Sequence, residues 1–137
     1  MRKILLPMMA LLLTGCVNDS ASYYIDGRDH ALTVLRAQRY FWSDAVTLTL
    51  VVARLPDCQR RHALTQAPAA SVNIDVFASG DASWTLRSGS TLWRVDTATC
   101  TSGAAGADAL GERVGSFKVM DQKLRFAIDR PAALPPR

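Results

Sequence analysis

Three cysteines, two histidines and a single glutamate are the side chains of this 137-residue chain best suited to covalent or metal chemistry. Cys58 and Cys100 have no CxxC spacing, and neither His30 nor His62 stands at a ligand spacing from them. No zinc site and no redox pair follows from that pattern. Ser88-Gly89-Ser90 reads as a turn, and the GxSxG signal of a serine nucleophile is absent. Glycoside hydrolysis needs two facing carboxylates, one with a raised pKa. Glu112 falls in a loop context, and Asp26, Asp29, Asp44, Asp81 and Asp121 fall where turns use aspartate. There is no HExxH and no glycine-rich phosphate loop. The expectation is a protein that is not an enzyme and that carries no cofactor and no metal.

The third cysteine has a different context. Met1-Arg2-Lys3 supplies a positive start, Ile4 to Leu13 an apolar run, and Leu13-Thr14-Gly15-Cys16 an ending of aliphatic, small residue, glycine and cysteine. A transmembrane helix needs about 20 apolar residues; this run is half that length and is interrupted by Pro7. The ending resembles the lipobox of bacterial lipoproteins. That resemblance implies a leader at 1–15, cleavage before Cys16, a diacylglyceryl group on its thiol and an acyl group on the new amine. Two or more chains anchor stably where one does not. In that family an aspartate after the cysteine retains the protein at the inner membrane. Val17 stands there instead, which implies the outer membrane, with the domain in the periplasm or at the cell surface. Residues 16–22 then read as a small, polar, lipidated tether.

Removing fifteen residues from 137 leaves 122, one domain's worth. Arg2 and Lys3 leave with the leader, so fourteen basic residues face twelve acidic ones and the net charge falls to about +2. That is no nucleic-acid footprint. With Cys16 assigned to lipid, Cys58 and Cys100 are the remaining pair in an oxidising compartment, and a disulfide between them is expected. Closing a loop of some forty residues contributes roughly 4 kcal/mol in the chain-entropy account.

The residues from 23 to 130 favour extended backbone: short runs of valine, threonine, leucine and aromatics punctuated by glycine and aspartate. Tyr23-Tyr24-Ile25 ends at the turn pair Asp26-Gly27. From His30 to Phe41, Leu32, Val34, Arg36, Gln38 and Tyr40 alternate as a strand face. Leu32, Leu35 and Arg39 also fit a helical stripe, but Thr33-Val34 and Tyr40-Phe41-Trp42 favour strand. Val46, Leu48, Leu50 and Val52 give the clearest alternation and complete a hairpin over about 30–54. Arg54 to Ser71, with Pro56 and Pro68, reads as a disulfide-pinned loop. Val72, Ile74 and Val76 mark a strand, 83–87 and 91–97 a hairpin about Ser88-Gly89-Ser90, and 101–111 a mobile loop. Phe117 and Val119 pair with Leu124, Phe126 and Ile128, and 131–137 reads as a disordered tail. The fold class is all-β: an antiparallel sandwich or small barrel of about seven short strands with one disulfide.

The residues best suited to recognition are Trp42, Trp84 and Trp93, with Arg94 beside the last, and Arg60 and Arg61 of Arg60-Arg61-His62, the one local cluster, read as a solvated loop or an anion-binding patch. Trp84 and Trp93 are expected to face each other across their hairpin. Together these six residues form the candidate surface for an envelope protein or glycan partner. The expected function is that of a membrane-anchored, non-catalytic lipoprotein acting as a binding or structural module. One alternative is an inhibitor of a lysozyme-like hydrolase: the leader, the length and the Ser88-Gly89-Ser90 loop resemble small lysozyme-inhibiting lipoproteins, but Thr91-Leu92-Trp93-Arg94 does not reproduce their inhibitory loop. Another is an accessory lipoprotein of a secretion or transport machine.

Overall fold

A computed structural model of the chain describes residues 16–106 and 110–129. The leader at 1–15 and the tail at 131–137 lie outside the described residues. Ten strands follow in order: β1 (Asn18–Asp26), β2 (His30–Gln38), β3 (Ala45–Arg54), β4 (Cys58–Pro68), β5 (Asn73–Ala78), β6 (Ser83–Ser88), β7 (Thr91–Asp96), β8 (Thr101–Ala104), β9 (Glu112–Met120) and β10 (Lys123–Ile128). They form two antiparallel sheets, β1-β2-β3-β4 and β10-β9-β5-β6-β7-β8. A single 3-10 turn at Ala69–Ser71 carries the chain from one sheet to the other.

Alternation explains the packing. Val46, Leu48, Leu50 and Val52 project from one face of β3 and are all buried. Leu32 and Val34 of β2 lie beside them, and Ile74, Val76, Leu86, Val95, Phe117 and Leu124 face them from the second sheet. Two inner faces interdigitating in this way make a sandwich. Tyr23 of β1 lies edge-on to Trp84 and packs on Phe126, which also meets Phe117, so aromatic rings fill the β1–β10 side. Gly115 leaves room for them: a Cβ there would come within 2.6 Å of the Phe126 ring and 2.5 Å of the Ala127 carbonyl oxygen.

Several expectations need correction. There are ten strands among the described residues, against about seven expected. Residues 18–22, expected within a tether, pair with β2 from Asn18 onward. The expected loop at 54–71 contains β4, hydrogen-bonded along β3 with a bulge opposite Leu48. The expected mobile loop after Cys100 begins with β8, and Glu112 opens β9 instead of lying in a loop. The ambiguous stretch after His30 is a strand, and the Cys58–Cys100 disulfide is formed. Each segment taken for loop or tether is an edge strand or a strand end, where one flank is solvated and the apolar alternation fades.

One charged side chain lies in the interior. Arg36 is in phase with Leu32 and Val34 on β2 and is only 2 % exposed. Its Nε and Nη2 donate to Asp19 Oδ1 and Oδ2 at 2.8 and 2.7 Å, a bidentate pair. Nη1 donates to the Ala69 carbonyl at 2.6 Å and Nη2 to the Gln122 carbonyl at 3.1 Å. Asp19 Oδ2 also accepts the Leu124 amide at 2.9 Å. One guanidinium thus joins β1, β2, the 3-10 turn and the β9–β10 turn. The bond from Arg36 is the main cause holding the Asp19 carboxyl below its ordinary value, opposed by partial burial and aided by the Leu124 amide.

Removing one partner of a buried pair strands the other charge, at about 3–5 kcal/mol. Asp19 keeps 28 % of its side chain in solvent, which moderates that figure. Asp19→Asn is therefore expected to destabilise the domain by about 2–3 kcal/mol in urea unfolding at pH 7. Because the folded-state pKa is depressed, the pair's contribution is complete above the carboxylate's unfolded pKa and is lost as pH falls below it. Wild-type stability should drop more steeply than that of Asp19→Asn from about pH 5 downward. Parallel pH profiles would contradict this role for Asp19.

Candidate functional site

The sandwich is closed differently on its two sides. On one, β1 and β10 meet through Asp19 and Leu124. On the other, edge strands β4 and β8 are joined by the Cys58–Cys100 disulfide, with Cα atoms 6.0 Å apart. His62 Nε2 lies 2.7 Å from the Cys100 carbonyl oxygen. A carbonyl only accepts, so Nε2 donates this bond. Cys100 has a φ of 56°, a left-handed conformation rare outside glycine, which turns the chain into β8. The turn before it is built by Asp96, whose Oδ1 accepts the amides of Ala98 and Thr99 at 2.7 and 3.3 Å.

Between these strands lies an open cleft of about 460 Å³. Arg61 and His62 of β4 form one wall, Ser102 and Gly103 of β8 the other, and Leu92 and Trp93 of β7 line it between them. Neither β4 nor β8 has a second strand partner among the described residues, so backbone N–H and C=O groups of both edges project outward. The combination offers a half-buried indole, a guanidinium, an imidazole and two strand edges. Those groups recognise by stacking and hydrogen bonding, and an extended peptide or a short glycan meets both requirements. Among the described residues, no three histidine, cysteine, aspartate or glutamate side chains gather as a metal site.

The six candidate surface residues separate. Arg61 and Trp93 come together in the cleft. Arg60 is exposed on β4 but does not line it, and Arg94, exposed on β7, points to the opposite face from Trp93. Trp84 is a core residue at 7 % exposure. It pairs with Val95, whereas Trp93 pairs with Leu86, so the two indoles share a face two residues out of register and do not stand opposite each other. Trp42 lies far along the chain in the β2–β3 loop, at 71 % exposure. Arg87, adjacent in sequence to this hairpin's turn, is engaged by Asp75 and covers the Phe77 ring. His62 enters the site as a member of the Arg60-Arg61-His62 cluster, whereas Leu92 and the β8 residues were not expected there. The available signal was the Arg61-His62-Ala63 run, which the flanking prolines made read as loop.

The arrangement defines a disulfide-pinned antiparallel β-sandwich with one side open between two edge strands. Compared with known proteins, the chain matches no family model, no curated protein and no solved structure.

The three tryptophans differ sharply in solvent access, which fluorescence reads directly. In lipid-free protein, Trp42→Phe should remove most of the acrylamide-quenchable emission and leave a blue-shifted remainder from Trp84 and Trp93. A quenchable fraction unchanged by Trp42→Phe would contradict the exposed loop.

Proposed function

We propose that the protein is a lipid-anchored, non-catalytic binding module of the bacterial envelope, held by Cys16 at the outer membrane. It presents its β4–β8 cleft to an envelope protein or glycan. The observation that carries this reading is the distribution of the cysteines. Cys58 and Cys100 are joined to each other, and Cys16 is left free and exposed immediately before the first strand. The lipobox-like Leu13-Thr14-Gly15 precedes it. A disulfide suits an oxidising compartment, in agreement with export. Two or more acyl chains on one residue would hold the domain stably at a membrane surface. The cleft supplies the binding half of the reading, through Trp93 stacking, the Arg61 charge and the unpaired strand edges.

The anchor is tested by the intact mass of protein recovered from the membrane fraction. The expected mass is that of residues 16–137 plus a diacylglyceryl group and an amide-linked acyl chain. Cys16→Ala should abolish the lipid mass. A mature wild-type chain that begins elsewhere, or that carries an unmodified Cys16 thiol, would overturn the proposal.

A further inference from the structure

The N-terminal end of β1 and the β2–β3 loop occupy the same end of the first sheet. Asn18 pairs with Ala37, and the backbone is already fixed one residue earlier. The Val17 amide donates to Gln38 Oε1 at 3.0 Å, and the Gln38 amide donates to the Val17 carbonyl at 2.7 Å. The Gln38 side-chain amide in turn donates to the Ser43 carbonyl. One glutamine therefore ties the residue next to Cys16 to the loop that follows β2. Consecutive Cα atoms are about 3.8 Å apart, so almost no free chain separates Cys16 from the rigid fold.

That loop displays Tyr40, Phe41 and Trp42. Phe41 and Trp42 are 69 % and 71 % exposed. The rings pack on one another, Trp42 stacked on Tyr40 at 4.9 Å and edge-on to Phe41 at 5.0 Å, and not on the core. Beside the same chain end, Val17, Ala69, Ala70 and Val119, with Arg36 and Gln122, line a groove of about 460 Å³. The β9–β10 turn, bonded to Arg36 next to Ala69, adds exposed Met120. The exposed charges around this end are Arg39, Lys118, Lys123 and Arg125 on the basic side and Asp44 and Asp121 on the acidic side. The end thus combines an aromatic and apolar surface with a modest basic excess. Tyrosine and tryptophan are the residues that settle at a bilayer's headgroup level.

We infer that Tyr40, Phe41 and Trp42 form a second membrane contact that seats the domain flush on the bilayer holding the Cys16 lipid. This inference rests on the anchor reading above. The occupant is lipid because the described chain enters this end directly from the residue that would bear the acyl chains. The aromatic loop is fixed to that entry point by Gln38. The seat sets an orientation. Val51, the partner of Arg61, lies six residues along β3 from Ala45, the start of that strand at the seated end. At about 3.3 Å per residue the cleft stands roughly 20 Å above the membrane, open to the side. The contact is aromatic and apolar and zwitterionic lipid carries no net charge, so on that lipid the seat is insensitive to salt.

The full lipidated protein, reconstituted into phosphatidylcholine vesicles with or without brominated acyl chains, tests this. The difference between wild type and Trp42→Phe isolates the Trp42 emission, and the substitution is at an exposed site that leaves the fold intact. Trp42 is expected to be quenched at least about twofold by brominated lipid, equally in 0.1 and 0.5 M salt, and to be shielded from aqueous acrylamide. Trp42 that stays acrylamide-accessible and untouched by brominated lipid overturns the seat. Shielding in native envelope without quenching by brominated lipid gives the loop to a protein partner and also overturns it. The intact mass of the same sample separates the two readings. Lipid present with Trp42 in water defeats the seat alone, and lipid absent with Trp42 still quenched by added vesicles defeats the anchor alone.

Discussion

The buried guanidinium of Arg36 is the constraint on which the rest of the sandwich depends. A charge taken out of water must be matched on every side, and here four donated bonds and one carboxylate do so. The acceptors come from β1, the crossover turn and the β9–β10 turn, so they must all be in place together. Hydrophobic packing alone would allow the two sheets to slide by small steps at modest expense. A bidentate pair with two further carbonyls does not allow it, because any shift leaves a polar group without its partner. The first strand is drawn into this network through Asp19. Polar Asn18, Asp19 and Ser20 thereby form regular strand, although they bury little apolar surface of their own.

The opposite side of the molecule solves the same closure problem covalently. The disulfide joins the start of β4 to the turn before β8, forty-two residues apart in sequence. The backbone edges there stay available, and the cleft exists because that side is pinned at one end and open along its length. The two closures thus divide the fold. The Arg36 side is aromatic and held by charged hydrogen bonds; the β4–β8 side is pinned by the disulfide and leaves both strand edges unpaired among the described residues.

Much of this was legible in the residues. Strands with one buried face announced themselves by alternation, as in Val46 to Val52 and Phe117 to Ile128, and cysteine parity gave the disulfide. Arg36 already stood in phase with Leu32 and Val34, which placed a charge on an inward face before any partner was visible. Asp19 was the missing half, and seventeen residues of separation conceal such a pairing. Edge strands were illegible for a physical reason. β4 carries Gln59, Arg60 and Arg61 between two prolines, and β8 is threonine, serine, glycine and alanine. Both are specified by the neighbour they pair with and not by their own pattern. Of the six residues singled out by type, the fold brings Arg61 and Trp93 to one cleft. Only register could show that Trp84 is core and that Arg94 faces away.

The proposed lipid anchor at Cys16 would be followed at once by rigid strand, which makes a different molecule from a domain on a leash. The seat, the orientation of the cleft and the role of Asp19 all require that order begin at Val17. Native-state hydrogen exchange on the lipidated protein measures this most directly, because amides in a cooperative unit exchange only through its opening. The β1 amides that bond to β2, with that of Leu124, are expected to exchange as slowly as those of β2. Exchange of residues 17–22 at the rate of an unstructured chain, while β2 and β3 stay protected, would contradict the account.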